Sequence, residues 1–180
     1  MPFLFSSSGM TDPVSSHRSQ APATIRLAVL TVSDTRTIET DTSGARIVEL
    51  ATAADMLIAA RAIVPDDPAR IRPQLEAWRD DPGIDAVLVT GGTGVSPRDQ
   101  TVETVAALLT QPLPGFGELF RMLSYAEIGP AAMLSRACGG LMGRTPIFLM
   151  PGSRAAVSLA LERLILPELG HLLGQIGRPN

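Results

Sequence analysis

The chain has no lysine: all 15 of its basic residues are arginine. This absence excludes a Schiff-base lysine and the lysine of a P-loop. A single cysteine, Cys138, excludes an intrachain disulfide and a cysteine cluster that binds a metal. The two histidines, His17 and His171, are too few for a histidine-rich metal centre.

Aromatic residues are also scarce, and basic residues do not outnumber acidic ones. Aromatics make up 4% of the chain against 45% hydrophobic residues, so the core has to be aliphatic. The net charge is −3, and nothing in the composition favours nucleic acid or an anionic membrane surface. No apolar run approaches the roughly 20 residues of a transmembrane helix, and the apolar start Met1–Phe5 lacks the basic region of a signal peptide. We therefore expect a cytoplasmic protein with no nucleic-acid or membrane partner.

The length of 180 residues suits one domain with a proper core. Residues 1–23 are rich in Ser, Pro and Thr and show no hydrophobic periodicity, which predicts a disordered leader. Residues 24–180 are predicted to form a single domain.

A glycine-rich stretch organises this domain. An apolar strand pattern over Ala86–Thr90 breaks into Gly91, Gly92 and Gly94, and helical periodicity resumes from Val102 to Leu109. Backbone N–H groups in such a loop favour an anion, most simply a phosphate. The spacing matches neither the dinucleotide fingerprint nor a P-loop. A tight turn without a ligand is the alternative, but it does not require the polar side chains that crowd this loop: Thr90, Thr93, Ser96, Arg98, Asp99 and Thr101.

Strands and helices alternate before this loop. Leu27–Val32 is predicted as a buried strand, and a helix capped by Asp41 or Ser43 is predicted to run to about Ala60. A short strand at Ala62–Val64 and a helix through Ile71–Trp78 follow. This alternation predicts an α/β fold with a mostly parallel sheet and helices on both faces.

The pattern changes after Leu109. An apolar stripe from Phe116 to Leu123 predicts a helix, and Ala131–Leu134 suits a short one. Pro146–Met150 is predicted as a strand. Ser153 is expected to cap the last helix, which Pro167 kinks or divides.

Loops that follow parallel strands meet at one edge of the sheet. The loops Ser33–Asp41, Pro65–Pro68 and Thr90–Thr101 should therefore lie together, and each of them carries aspartate. Carboxylate oxygens beside a phosphate-binding loop suit Mg²⁺. We interpret Asp66 and Asp99 as functional residues, and Asp67 as a cap or turn residue.

Taken together, these residues resemble the molybdenum cofactor biosynthesis family that includes MoaB and MogA. The resemblance covers about residues 25–175, and Phe120–Tyr125 through Ala132–Arg136 is more similar to the MoaB branch. The matching segments are Thr31–Asp34, Asp41–Gly44, Val64–Asp66, Thr90–Gly94 with Arg98–Thr101, Pro114–Glu118 and Pro151–Ser153. One departure is Arg154, where many relatives have Pro or Lys.

The resemblance implies a three-layer α/β/α fold that binds molybdopterin and assembles as homotrimers or homohexamers. In the adenylyltransferase members, ATP and molybdopterin give adenylyl-molybdopterin and pyrophosphate with Mg²⁺. The catalytic and metal-binding pair of that motif falls on Asp66 and Asp99. The substrate-binding positions it implies are Ser33, Asp34, Asp41, Thr90, Gly91, Gly92, Thr93, Gly94, Arg98, Glu118, Ser135, Arg136, Pro151, Gly152 and Ser153.

Three functions are compatible with the sequence. The first is an ATP-dependent molybdopterin adenylyltransferase, with other enzymes of the pathway as further partners. The second is a carrier that holds molybdopterin or its precursor without turnover. The third is hydrolysis of a nucleotide-like ligand, as in the related competence-damage-type domains. Two aspartates beside a phosphate loop favour the first function, because a carrier of an anion does not require them.

Overall fold

A six-stranded mixed sheet forms the middle layer of the protein. The computed structural model describes residues 24–177, so the predicted leader lies outside the described residues. The strands are β1 (Arg26–Val32), β2 (Leu57–Val64), β3 (Ala86–Thr90), β4 (Gln111–Pro112), β5 (Cys138–Met142) and β6 (Thr145–Met150). Their order is β2-β1-β3-β6-β5-β4. The pairs β1–β2, β1–β3 and β3–β6 are parallel, and β5 pairs antiparallel with both β6 and β4.

Helices cover both faces of this sheet, which confirms the predicted three-layer arrangement. They are α1 (Thr42–Ala53), α2 (Pro68–Asp80), α3 (Thr101–Leu108), α4 (Pro114–Ile128), α5 (Arg154–Ala160) and α6 (Leu166–Ile176). A 3₁₀ turn spans Gly129–Leu134, and a π turn spans Leu161–Ile165. None of the helices in the described part of the chain combines the length and apolar character needed to cross a membrane.

Two apolar cores lie on opposite sides of the sheet because side chains along a strand alternate between its faces. In β1, Leu27 and Val29 join the core under α1, α4, α5 and α6, whereas Ala28 and Leu30 join the core under α2 and α3. All four side chains are fully buried. Since both faces are covered, the central strands are continuous apolar runs, which is typical of parallel sheets.

The predicted boundary between α1 and β2 is wrong. The helix ends at Ala53 rather than near Ala60, and Asp55 takes a left-handed conformation with φ of 58°. The strand then begins at Leu57, whose N–H donates to the Ile25 carbonyl. β2 lies at the edge of the sheet and is only partly buried. Its small and apolar residues continue the helical spacing, so pairing with β1, rather than local pattern, determines the strand.

The sequence patterns do not predict strands β4 and β5. The sequence of β5 contains Gly139 and Gly140, a residue type that strands disfavour. Pairing with β6 through the hairpin at Gly143 nevertheless holds it in the sheet. By contrast, an irregularity in the last helix is found where Pro167 predicts a kink or division. A π turn over Leu161–Ile165 immediately precedes α6, and the backbone stays helical at both of its ends.

Asp41, one of the two predicted caps, is the N-cap of α1, and it is almost fully buried. Its Oδ1 accepts from the Gly44 N–H at 2.8 Å and from Ser43, and its Oδ2 accepts from Thr31 at 2.7 Å and from Arg61 at 2.9 Å. Burial raises the pKa of the Asp41 carboxyl, but these hydrogen bonds outweigh burial and hold the pKa below its usual value. The stability that this carboxylate contributes is therefore present at neutral pH and is lost as the pH falls below about 4.

We expect Asp41→Asn to lower the free energy of unfolding by about 2–4 kcal/mol, because asparagine still caps the helix but leaves the Arg61 guanidinium without its charge partner. Urea unfolding at neutral pH measures the loss. Asp67→Asn is the matched control, since Asp67 caps α2 at an exposed position and accepts from the Ala69 N–H. Equal effects of the two substitutions would show that the buried ion pair contributes nothing beyond capping.

Candidate active site

The loop between β3 and α3 lies at the carboxyl edge of the sheet, flanked by the loops after β1, β2 and β6. Within it, Gly91 and Gly92 have φ of 100° and 65°, in the region that other residues avoid. A Cβ on Gly92 would lie 2.0 Å from Thr101 Oγ1 and 2.7 Å from Asp66 Oδ2. Glycine at position 92 is therefore required both by the backbone conformation and by the close approach of the loop to Asp66.

Asp66 connects the loop after β2 to the beginning of α3. Its Oδ1 accepts from the Gln100 N–H at 3.1 Å and from Thr101 Oγ1 at 2.9 Å. Its own N–H donates to Asp34 Oδ1 at 3.2 Å. Its Oδ2 is buried and has no hydrogen-bond partner among the described residues. A buried carboxylate oxygen without a partner is unfavourable, so Asp66 Oδ2 is a position where a cation or a donor from a ligand would bind.

Asp99 closes a turn within the glycine-rich loop. Its carboxylate accepts from the Ser96 N–H at 3.0 Å, while its own N–H donates to the Ser96 carbonyl at 2.9 Å. The adjoining residue Gln100 is bound to Asp66. The two predicted catalytic aspartates thus lie on neighbouring loops, linked by one residue.

Two arginines contact the loop from opposite sides. Arg98 is 85% exposed and lies 3.2 Å from the Asp34 carboxylate. Arg136 is more buried and donates to the Gly94 and Asp99 carbonyls and to the Glu103 carboxylate. The backbone N–H of Glu103 and then Arg136 hold the pKa of this carboxyl below its usual value.

The loop after β6 completes the edge. The Gly91 N–H donates to the Met150 carbonyl at 3.1 Å, and Thr90 Oγ1 donates to the Pro151 carbonyl at 3.1 Å. Ser153 caps α5 by accepting from the Ala156 N–H, as predicted. A Cβ on Gly152 would lie 3.4 Å from the Gly91 Cα, so the glycine-rich loop and this fourth loop are in direct contact.

The structure brings most of the predicted site residues to this edge, and three differ from the rest. Asp41 lies beneath the site with both oxygens bound to protein groups. Glu118 is exposed on α4, where it lines a cavity of about 280 Å³ with Arg121 and Cys138. Burial raises the pKa of the Cys138 thiol to about 11, so this thiol is un-ionised at neutral pH. Ser135 has a buried Oγ without a partner among the described residues.

Sequence reasoning misses two contacts in the site. It marks Thr101 only as a polar loop residue, yet the Thr101 hydroxyl donates to Asp66. It does not single out Glu103, which lies in the first turn of α3 and binds Arg136. The place of Thr101 in the sequence, two residues after Asp99, is a signal that could have indicated its role. The contact between Glu103 and Arg136 joins positions 33 apart and has no local signature.

The fold and the site together define an α/β protein with a glycine-rich loop and two aspartates at the carboxyl edge of its sheet. Comparison with known proteins is more specific. The family described as "Probable molybdopterin binding domain" matches residues 28–171. This chain belongs to that family and is a MoaB-like molybdenum cofactor biosynthesis protein.

Similar proteins carry names from the MoaB branch. Molybdenum cofactor biosynthesis protein B of Bacillus cereus is 49% identical over 166 residues, which cover 92% of this chain and 98% of that protein. A crystal structure of a molybdenum cofactor biosynthesis protein B is 49% identical with a TM-score of 0.85, covering 88% of this chain and 99% of the other. The structure of the molybdopterin biosynthesis enzyme MoaB from Thermus thermophilus is 38% identical with a TM-score of 0.76, covering 86% and 98%.

We expect Gly92→Ala to abolish molybdopterin binding, because the added Cβ displaces Thr101 and Asp66. Gly143→Ala is the matched control: Gly143 has φ of 63°, but a Cβ there meets no described atom within 4 Å. Both variants should lose about 1 kcal/mol of stability from the left-handed backbone, and Gly92→Ala should lose more because Thr101 and Asp66 must move. Equilibrium binding of molybdopterin and thermal unfolding measure the two effects. Unchanged affinity in Gly92→Ala would mean that the loop is only a turn.

Proposed function

We propose that the protein is a molybdopterin adenylyltransferase that uses ATP and Mg²⁺. The family description and the names of the similar proteins support molybdopterin as the ligand. The single observation that carries the proposal of catalysis is the buried, unpartnered Oδ2 of Asp66 directly beneath the glycine-rich loop. A site that only held an anion would gain nothing from a carboxylate oxygen in that position, because like charges repel.

The residues fit a magnesium ion that is shared with a substrate. Mg²⁺ is commonly bound by one or two carboxylates, with phosphates and water completing the octahedron. Asp66 Oδ2 supplies one free carboxylate oxygen, and Asp99 supplies a second carboxylate on the neighbouring loop. The described residues contain no cluster of three or more His, Cys, Asp or Glu side chains that could hold a metal alone. Asp66 and Asp99 would hold the ion, which when bound would neutralise phosphate charge.

Adenylyl transfer requires little covalent chemistry from the protein. The terminal phosphate oxygen of molybdopterin attacks the α-phosphorus of ATP, a new P–O bond forms, and the bond to the bridging oxygen of the β-phosphate breaks. Pyrophosphate leaves with that bond's electron pair. The protein's role is to hold the two phosphates in line and to stabilise the charge that develops.

Residues from different loops hold the phosphates and position the Asp66 carboxylate. Backbone N–H groups of the glycine-rich loop bind phosphate oxygens, and the loop after β6 supports this loop through the contact between Gly152 and Gly91. Asp34, which accepts from the Asp66 N–H and from Arg98, lies at the β1 side of the site. Asp66 is fixed by Gln100 and Thr101 so that only one of its oxygens is engaged by the protein.

A carrier function is the second candidate, and one observation favours it. An adenylyltransferase must neutralise a leaving pyrophosphate, yet the two arginines at the loop are bound to protein groups: Arg98 to Asp34, and Arg136 to loop carbonyls and Glu103. With no lysine in the chain, no lysine ammonium replaces them. The carrier and the enzyme differ in turnover, which decides between them.

We expect Asp66→Asn and Asp99→Asn each to slow adenylylation about 10²- to 10⁴-fold, because each removes a carboxylate that positions the cation. Molybdopterin affinity should change little, since the loop backbone binds the phosphate and asparagine is nearly isosteric. Single-turnover formation of adenylyl-molybdopterin and pyrophosphate, beside equilibrium binding, measures both effects. Asp67→Asn, an exposed cap one residue from Asp66, is the control and should react like the parent.

The outcomes separate the candidate functions. A parent protein that binds molybdopterin and releases no pyrophosphate is a carrier. Variants that react as fast as the parent would show that the two carboxylates are structural. Combined loss of binding and rate would show that they shape the pocket and take no part in the chemical step.

The same proposal includes a homo-oligomer, a trimer or hexamer. One face of α4 and the 3₁₀ turn after it exposes six large apolar side chains: Leu119, Met122, Tyr125, Ile128, Met133 and Leu134. Exposed large apolar side chains in this number support an interface, and burying them stabilises an assembly by roughly 25 cal/mol per Å² before the cost of association.

We expect sedimentation at micromolar concentration to show a trimer or a larger assembly. Met122→Arg should dissociate it, because a buried unpaired guanidinium is unfavourable at an interface core. Leu57→Arg is the control, since Leu57 is similarly exposed, at 56% against 60%, but lies on the edge strand β2. A monomeric parent would contradict the proposal.

A further inference from the structure

Arg136 reaches the glycine-rich loop from a segment that is distant in sequence. It lies between the 3₁₀ turn and β5, and its Nη2 donates to the Gly94 carbonyl and, at 3.1 Å, to the Asp99 carbonyl. Its Nη1 binds Glu103 in the first turn of α3. One guanidinium therefore joins both ends of the segment 94–99 to the helix that follows it. A planar group with five fixed donors is suited to this task, and an ammonium is not.

The Asp99 carbonyl leads directly to the other aspartate. It shares a peptide group with the Gln100 N–H, and that N–H donates to Asp66 Oδ1 at 3.1 Å. A trans peptide group is planar, and its C=O and N–H point in opposite directions. Arg136 on the carbonyl side and Asp66 on the N–H side therefore fix the orientation of one peptide plane. A cation on the carbonyl also polarises the group and strengthens its N–H as a donor.

Protein groups already engage both terminal nitrogens of the Arg136 guanidinium. Nη1 and Nη2 have protein acceptors, and only Nε lacks a partner among the described residues. The family resemblance implied that Arg136 contacts the ligand. The geometry points to a different role for this residue.

We propose that Arg136 is a positioning residue for both candidate catalytic aspartates. It holds the turn that Asp99 closes, and through the peptide group between Asp99 and Gln100 it holds the Asp66 carboxylate beneath Gly92. The proposal rests on the adenylyltransferase function for its kinetic consequence, but its structural consequence is independent of that function.

The test compares Arg136→Gln with Arg72→Gln in the full chain. Arg72 forms a surface pair with Glu76 along α2, so it controls for loss of an arginine and an ion pair. The first measurement is amide hydrogen exchange of Gln100 by NMR in the ligand-free protein. Loss of the Arg136 contacts should raise the Gln100 exchange rate about tenfold or more, while the amides of β1 and β3 stay protected. Arg72→Gln should leave it unchanged.

The second measurement is single-turnover adenylylation at saturating ATP and molybdopterin. Arg136→Gln should lower the rate about 10- to 100-fold, because the aspartates lose their alignment. The dissociation constant of molybdopterin should change less than about threefold. Arg136→Lys keeps the charge but cannot span both carbonyls and Glu103, so it should not restore the rate.

Two results would overturn the proposal. If Gln100 exchanges equally fast in Arg136→Gln and in Arg72→Gln, the Arg136 contacts do not hold the loop. If molybdopterin binding collapses while the rate at saturation is retained, Arg136 is a ligand contact. Should Arg136→Gln fail to fold, Arg136→Lys is measured by the same criteria. A parent without adenylylation activity would refute the proposed function, and Gln100 exchange alone would then decide the role of Arg136.

Discussion

The Asp66 carboxylate, bound through one oxygen to the start of α3, is the interaction on which the site depends. It joins the loop after β2 to the loop after β3 and lies directly beneath Gly92. These two loops belong to strands that do not pair with each other, because β1 lies between them. The carboxylate therefore spans the width of a strand at the sheet edge. The glycine at position 92, the hydroxyl at position 101 and the amide of Gln100 are all determined by the space and the donors that this carboxylate needs.

The parallel sheet supplies the platform for that arrangement. Four strands end at the same edge, and two apolar cores on opposite faces hold them in register. The Asp41 carboxylate under α1 has both oxygens bound to protein donors. Asp66 differs from it, because its buried Oδ2 has no hydrogen-bond partner among the described residues.

The fold was largely predictable because its elements have strong local patterns. β1, β3 and β6 are continuous apolar runs, and Asp41 and Ser153 cap helices where the sequence places them. Only the end of β2 was predicted, because the apolar residues at its start continue the helical spacing of α1. In the site, Asp66 and Asp99 follow strands and could be found from order alone. The Arg136 contacts join positions 37 and 42 residues apart, and no local pattern encodes such a pairing.

The strand order determines at which stage of folding the site forms. β3 pairs with β6, so Val87 lies beside Ile147, which is 60 positions further along the chain. Closing a loop of that length is slow compared with local helix formation, and parallel pairing of this kind delays folding. The site draws its residues from all four parallel strands, so it is complete only when the whole sheet has formed. A ligand bound there is consequently linked to the global unfolding equilibrium, and its free concentration in the cell sets how much of the chain is open to proteolysis.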